Sequence, residues 1–196
     1  MRRLPLFVLP TVLFPGALMP LHVFEPRYRQ MAARCIETDR RFGVLFHDSD
    51  EGPFELVEDA VGCVAGILEF RPLPDGRSLM ATRGLDRFRV VDGIESETLY
   101  TEALVEPLHD IEGDDVARLT ARRFRTSERF RDAAILAGTP NGEVPRIDTN
   151  TDVSWQIARA FRIDEAWRQS LLEIRNEITR LDQIDRLLDT ILPPSD

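Results

Sequence analysis

Lysine is missing from the sequence: all 25 basic residues are arginine. A GC-rich coding bias accounts for such a pattern, but the chemical consequence holds whatever its cause. Without lysine there is no P-loop, whose lysine reaches the β- and γ-phosphates. A Ser–Lys dyad lacks its amine base, and Schiff-base catalysis lacks its nucleophile. Cysteine is scarce. Cys35 and Cys63 make neither a disulfide framework nor a metal-ligand spacing. Each lies inside an apolar run, where a free thiol behaves as a small buried hydrophobe, so a reducing, cytoplasmic setting is expected. No apolar run reaches the ~18 residues of a membrane span. Arg2-Arg3 followed by apolar residues mimics a signal peptide, but proline interrupts the run and no small-residue cleavage site follows.

Positive charge is also in deficit. The formal net charge is −9 with a pI of about 4.9, which disfavours nucleic acid as the main partner. Catalytic motifs are lacking too. No G-x-S-x-G elbow is present. His22, His47 and His109 are scattered, and a Cys35–His pair is undercut by the place of Cys35 on an apolar helix face. These histidines and two distant cysteines do not reach a zinc spacing, and the acidic run Asp48–Asp59 lacks the calcium-loop pattern. No catalytic residue, metal or cofactor is assigned.

What is present is concentrated at Leu4–Arg29, LPLFVLPTVLFPGALMPLHVFEPRYR, with Pro5, Pro10, Pro15, Pro20 and Pro26 spacing apolar residues. Proline fixes φ and removes a donor, so no long helix crosses this stretch and a central strand is disfavoured. Short extended segments at sheet edges or ends are expected, forming the rim and floor of a β-rich core. Pro26 opens a helix whose Tyr28, Met31, Ala32, Cys35 and Ile36 share one face. Strands are expected at Phe42–His47, Phe54–Val57 (a short edge strand), Val61–Phe70, Ser78–Thr82, Phe88–Val91 and Leu99–Val105. Gly84 is expected to interrupt the chain between two of them. Leu73-Pro74-Asp75-Gly76 reads as a turn, with proline setting φ and glycine taking the positive φ. Beyond Pro107 the pattern turns helical. Asp114 or Asp115 caps a helix reaching about Ala137, with Phe124 and Phe130 expected in the core. A linker covers Gly138–Asn150 and a short helix Val153–Phe161. The layout is thus a β-rich lobe over residues 1–110 and a helical lobe over 111–196, the latter ending in one long helix over about 165–192.

The stretch Leu4–Arg29, together with Val61–Phe70, Leu73–Gly76 and Gly84–Val90, resembles the Lon substrate-binding domain family. That domain opens Lon proteases and also occurs as a standalone bacterial protein and in cereblon. The resemblance implies an α+β fold, an N-terminal PUA-like β pseudo-barrel followed by a C-terminal helical lobe. It also implies a non-enzymatic module that binds unfolded or hydrophobic polypeptide segments, or an adaptor in protein quality control working with a protease or chaperone. Pro15, Gly16, Phe24, Glu25, Arg27 and Tyr28 fall in the family signature, read here as structural, with Glu25 paired to an arginine such as Arg29. Phe70, Leu73 and Met80, around the expected hairpin, are the candidate peptide contacts.

Three alternatives stand beside this reading. Arg118, Arg122, Arg123, Arg125, Arg129 and Arg131 crowd one helix, and PUA-like barrels can bind RNA. A hydrolase would need a nucleophile that no motif supplies. A small-molecule binder like cereblon would need its zinc module and aromatic cage, whereas Trp155 and Trp167 are the only tryptophans. The assembly is expected to be a monomer or a homodimer.

Overall fold

The computed structural model describes residues 1–111, 115–138, 143–161 and 163–193. Two compact units make up the chain, Met1–His109 and Asp110–Asp196.

The first unit is a mixed six-stranded sheet with one helix. Its strands are β1 (Arg2–Leu9), β2 (Leu18–Val23), β3 (Arg41–Phe46), β4 (Val61–Pro72), β5 (Ser78–Ile94) and β6 (Glu102–Pro107), and the helix α1 spans Pro26–Glu37. The sheet order is β2-β5-β4-β3-β1-β6, and β5 pairs with β6 as well. That last pairing closes a ring of β5, β4, β3, β1 and β6, which is the form the expected pseudo-barrel takes. The long β5 makes closure feasible. Its first half, Ser78–Arg83, lies between β2 and β4, and its second half, Phe88–Ile94, pairs with β6.

Gly84 marks the changeover. It does not end the strand as expected, because β5 runs through it unbroken. Its role is steric: the turn Phe14–Ala17 docks on its backbone. Gly16 N–H donates to the Gly84 carbonyl (2.8 Å) and Gly84 N–H to the Ala17 carbonyl (2.9 Å). A Cβ at Gly84 would sit 2.1 Å from the Phe14 carbonyl oxygen.

Pro5 and Pro20 sit inside strands at positions where their lost donors point away from a ladder partner. β1 is inside the ring, not at an edge as expected. It pairs antiparallel with β6 over Arg2–Pro5 and parallel with β3 over Leu6–Leu9. Leu6 N–H bonds the Thr101 carbonyl towards β6, so by strand alternation Pro5 faces the β3 side before that pairing begins. β2 pairs with β5 alone. Because the Ala17 carbonyl faces β5, Met19 and Leu21 face it too, and Pro20 points its missing donor at the open edge.

The ring interior is filled by Leu4, Leu6, Leu45, Val64, Phe88, Val90, Ala103 and Val105. Gly43 and Gly62 are close-approach positions: a Cβ on either would fall 2.8 Å or 2.5 Å from the tip of Phe88. The opposite strand faces join α1 in a second core, in which Phe7, Phe42, Val44, Cys63, Ile67 and Met80 pack with Tyr28, Met31, Ala32 and Cys35. The expected strands differ in two places. Residues 54–57 are not strand, and the last strand begins at Glu102, after Leu99.

The second unit holds α2 (Val116–Ala137), α3 (Val153–Ala158), α4 (Glu165–Glu173) and α5 (Glu177–Leu188). The single long helix expected over 165–192 is two helices. Ile174 turns extended (φ −70°, ψ 123°), and Asn176 caps α5 by accepting from Thr179 N–H at 3.0 Å. Asp115 caps α2, accepting from Arg118 N–H at 2.8 Å, while Asp114 lies outside the described residues.

The reason for the break is Arg180, fully buried at 0% exposure. Its Nε donates to Ser154 Oγ (2.8 Å), and its Nη1 donates to Asp110 Oδ1 (2.9 Å) and the Ile174 carbonyl (2.7 Å). Nη2 donates to Asp110 Oδ2 (2.5 Å) and Asp152 Oδ2 (2.7 Å). These bonds use all five guanidinium donors. The Trp155 ring lies under the guanidinium, 4.2 Å from centroid to Cζ. The Ile174 carbonyl is free for this bond because the chain leaves the helix there. Asp110, the first residue of this unit, accepts two of the five.

Two substitutions test these arrangements. Gly62→Ala should lower stability in urea unfolding by about 1–3 kcal/mol, the usual cost of overpacking, since its Cβ also meets the Val44 carbonyl oxygen at 2.4 Å. Arg180→Met should cost about 3–5 kcal/mol by leaving Asp110 and Asp152 without their cation. Arg180→Met melting like the parent would refute the anchoring role.

Candidate protein-binding surface

Past Gly66, β4 loses its β3 neighbour and continues as Leu68–Pro72, paired with β5 alone. With β2 it forms a three-stranded projection. On the face towards α1, cross-strand rows bring Phe70, Met80 and Leu21 side by side, then Ile67, Thr82 and Met19. Met80 is only 3% exposed, because alternation along β5 turns it into the core. It is therefore the floor of this surface, a correction to its expected place as a contact. Phe70, Leu21, Met19 and Ile36 pack on that core but stay partly exposed, as does Leu73 at the turn. Leu68, at the β4 bulge, is 50% exposed. Phe70 and Leu73, nominated from the sequence, lie on this partly exposed patch. Met19, Leu21 and Ile36 were not nominated, although their alternation along β2 and position on α1 were the available signals.

The hairpin turn is tightly specified. Gly76 has φ +80° and closes the turn by donating to the Leu73 carbonyl at 3.0 Å. A Cβ there would meet the Arg29 guanidinium at 2.0 Å, so Arg29 lies across the turn. Arg77 Nε donates to Asp75 at 2.6 Å, and this bond holds the Asp75 carboxyl below the usual range.

The signature residues occupy different settings. Pro15 and Gly16 (φ 73°) form the turn that docks on Gly84. Glu25 pairs with Arg27 at 2.8 Å, not with Arg29 as expected, and Arg27 lies over the Tyr28 ring. Tyr28 is buried, and its hydroxyl both donates to the Val8 carbonyl and accepts from Val8 N–H, each at 3.2 Å. Burial pushes its phenol up. Phe24 is 58% exposed, its ring 5.7 Å from that of the exposed His22 and tilted 48° to it.

α1 is held beneath this surface by polar clasps. Gln30 Oε1 accepts from Leu99 N–H at 2.8 Å, and Arg34 donates to the Tyr100 hydroxyl at 3.3 Å. Buried Glu102 accepts from Arg3 Nε at 3.0 Å and faces Arg34 at 3.9 Å. The Arg3 hydrogen bond holds the Glu102 carboxyl below its ordinary range.

The rival chemistries have specific structural counterparts. The Cys35 thiol donates to the Arg41 carbonyl at 3.3 Å, and burial pushes it up to about 12, so it is no thiolate near neutrality. Burial does the same to Cys63, also to about 12. His47 Nε2 is engaged with the Gly52 carbonyl at 2.8 Å. The α2 arginines are largely neutralised by α5: Arg123 with Glu177, Arg122 with Asp182 and Asp185, and Arg129 with Asp185 and Asp189. Arg131 pairs with Glu128 at 2.7 Å. A groove of about 1300 Å³ between α2 and α5 is lined by the Arg122 and Arg129 pairs, with Ile135 and Leu136 also on its wall. A second, of about 880 Å³, is floored by Phe130, Ala133, Ala137 and Phe161. Among the described residues no helix is long and apolar enough to cross a membrane.

Residues 3–190 match the sequence profile of the ATP-dependent protease La (LON) substrate-binding domain. The chain belongs to the Lon substrate-binding domain family. It is 24% identical to a Lon protease of Cytophaga hutchinsonii over 91% of the chain. It is 28% identical to a LON peptidase N-terminal domain and RING finger protein of Schizosaccharomyces pombe over 95% of the chain. The chain spans only 23% and 40% of those two proteins. Among solved structures, it resembles a Lon N-terminal domain protein from Xanthomonas campestris (TM-score 0.64, 28% identity, 95% of this chain and 98% of that one). The N-terminal domain of a Mycobacterium avium complex Lon protease shares the fold (TM-score 0.72, 14% identity, 97% and 100% covered). The Lon domain profile thus covers both units, and the matched region is the substrate-binding part of Lon.

The Glu102 clasp has a pH signature. Its folded carboxyl titrates below its unfolded value of about 4.3, so its contribution is complete above that pH and fades as pH falls through the folded value. The stability gap between wild type and Glu102→Gln should be constant from pH 5 to 7 and shrink on further acidification. A gap independent of pH would refute the assignment.

Proposed function

We propose that this chain binds exposed hydrophobic segments of other polypeptides on the β4–β5–β2 projection, without a catalytic step of its own. The observation that carries the reading is the partly uncovered apolar row of Phe70, Leu21 and Met19, beside a strand, Leu68–Pro72, with one unpartnered edge. Family membership supplies the class of partner, a protein substrate. An extended segment can lay alternate side chains against the row while its backbone follows the open edge. Met19 adds an adaptable lining. The opposite edge of the projection suits this less, because Pro20 cannot contribute a donor there. In this reading the chain acts as a quality-control adaptor that passes clients to a protease or chaperone. Two buried free thiols suit a reducing, cytoplasmic setting.

Binding of a fluorescently labelled, carboxymethylated, permanently unfolded model protein tests the proposal. Phe70→Ser with Leu73→Ser should weaken it at least tenfold, since each apolar side chain contributes about 1.5–3 kcal/mol when fully buried. Val57→Ser, an exposed apolar site elsewhere on the same unit, should leave binding unchanged. Equal affinity of wild type and the double variant, or wild-type binding no better than that of an unrelated acidic protein, would overturn it.

A further inference from the structure

The outer face of α2 carries large exposed apolar side chains among its charged ones. Phe124 and Ile135 are 62% and 63% exposed. The sequence places Phe124 in the core, but α2 buries Thr126, Ser127, Phe130 and Ala133 instead. Ala117, Ala121, Phe124, Glu128, Arg131 and Ile135 follow one another at alternating four- and three-residue steps. At about 100° per residue these six lie within an arc of about 80°, a heptad seam on the solvent side.

The seam has a second property. It is symmetric about the midpoint between Arg129 and Phe130: Phe124 mirrors Ile135, and Glu128 mirrors Arg131. Two antiparallel copies of α2 crossing at that point would place Phe124 on Ile135 of the other copy at both ends. At the centre each Glu128 would face Arg131 of the other copy. A parallel pair would instead set Glu128 on Glu128 and Arg131 on Arg131. Buried like charges make that arrangement costly, and charged seam positions select orientation in this way. Both charged side chains are available: Arg131 is 52% and Glu128 40% exposed, and they already pair within the helix at 2.7 Å.

We propose that this face of α2 docks on α2 of a second copy of the chain, forming an antiparallel two-fold homodimer. The partner is a second copy because the pattern is complementary to its own reverse, in both its apolar ends and its central charges. A single helix pair buries less than the ~1,200–2,000 Å² of a stable standard interface. The dimer is therefore a weak, concentration-dependent one in the micromolar range or above.

Sedimentation equilibrium of the full chain from about 5 to about 500 µM tests this. Wild type should show a monomer–dimer equilibrium. Phe124→Asp at one end and Ile135→Asp at the other should each abolish the dimer. Both residues are exposed in the monomer, so melting temperature should be nearly unchanged. Glu128→Arg and Arg131→Glu should each weaken association at least tenfold, and Glu128→Arg with Arg131→Glu together should restore it. A wild type that stays monomeric throughout overturns the proposal, as does a dimer indifferent to Phe124→Asp or a double swap no better than either single change.

Discussion

A single buried cation organises the helical unit. Arg180 reaches the segment entering the unit (Asp110), the start of α3 (Asp152 and Ser154) and the break between α4 and α5 (the Ile174 carbonyl). Asp152 and the Ile174 carbonyl lie where the backbone enters or leaves a helix, and Asp110 lies in the segment before α2. One planar donor fork satisfies them together, which a lysine could not do, having three donors at a point. The same logic repeats at the surface of α5, where Glu177 accepts from both Arg123 and Val153 N–H. The unit is therefore assembled as much by directional ion pairs as by apolar packing, and its register is correspondingly specific.

The barrel unit answers a different constraint. A ring this narrow has room for few side chains, and Phe88 claims the middle of it. Gly43 and Gly62 are the complement of that aromatic ring on the facing strands. Gly84 then lets a loop lie directly on the strand that closes the ring. With the interior filled, the face towards α1 becomes the main core, and the strands that outrun the ring become the projection. The partly covered apolar row exists because β4 is longer than its neighbour β3.

Much of this was legible in the sequence and some of it was not, for identifiable reasons. The proline-spaced opening announced short strands and turns, and the Tyr28–Cys35 spacing announced the inner face of α1. Leu73–Gly76 announced the hairpin because proline and glycine each act locally. The split of the last helix was hidden, since Leu171, Ile174 and Ile178 keep a helical rhythm through the break. The break leaves the Ile174 carbonyl for Arg180, six residues on, a pairing that periodicity does not reveal. Met80 was misplaced because a hairpin residue and a core residue look alike until register assigns a face. The exposure of Phe124 was hidden by the opposite error: the buried side of α2 carries Thr126 and Ser127, hydroxyl side chains that periodicity arguments assign to water.

Pro20 bears on what becomes of the molecule when many copies crowd together. An open strand edge is a template on which like strands can stack into fibrils. β2 is such an edge, yet it carries a ring where a neighbour would need a hydrogen-bond donor. The projection thus keeps its β2 margin closed to this kind of strand stacking.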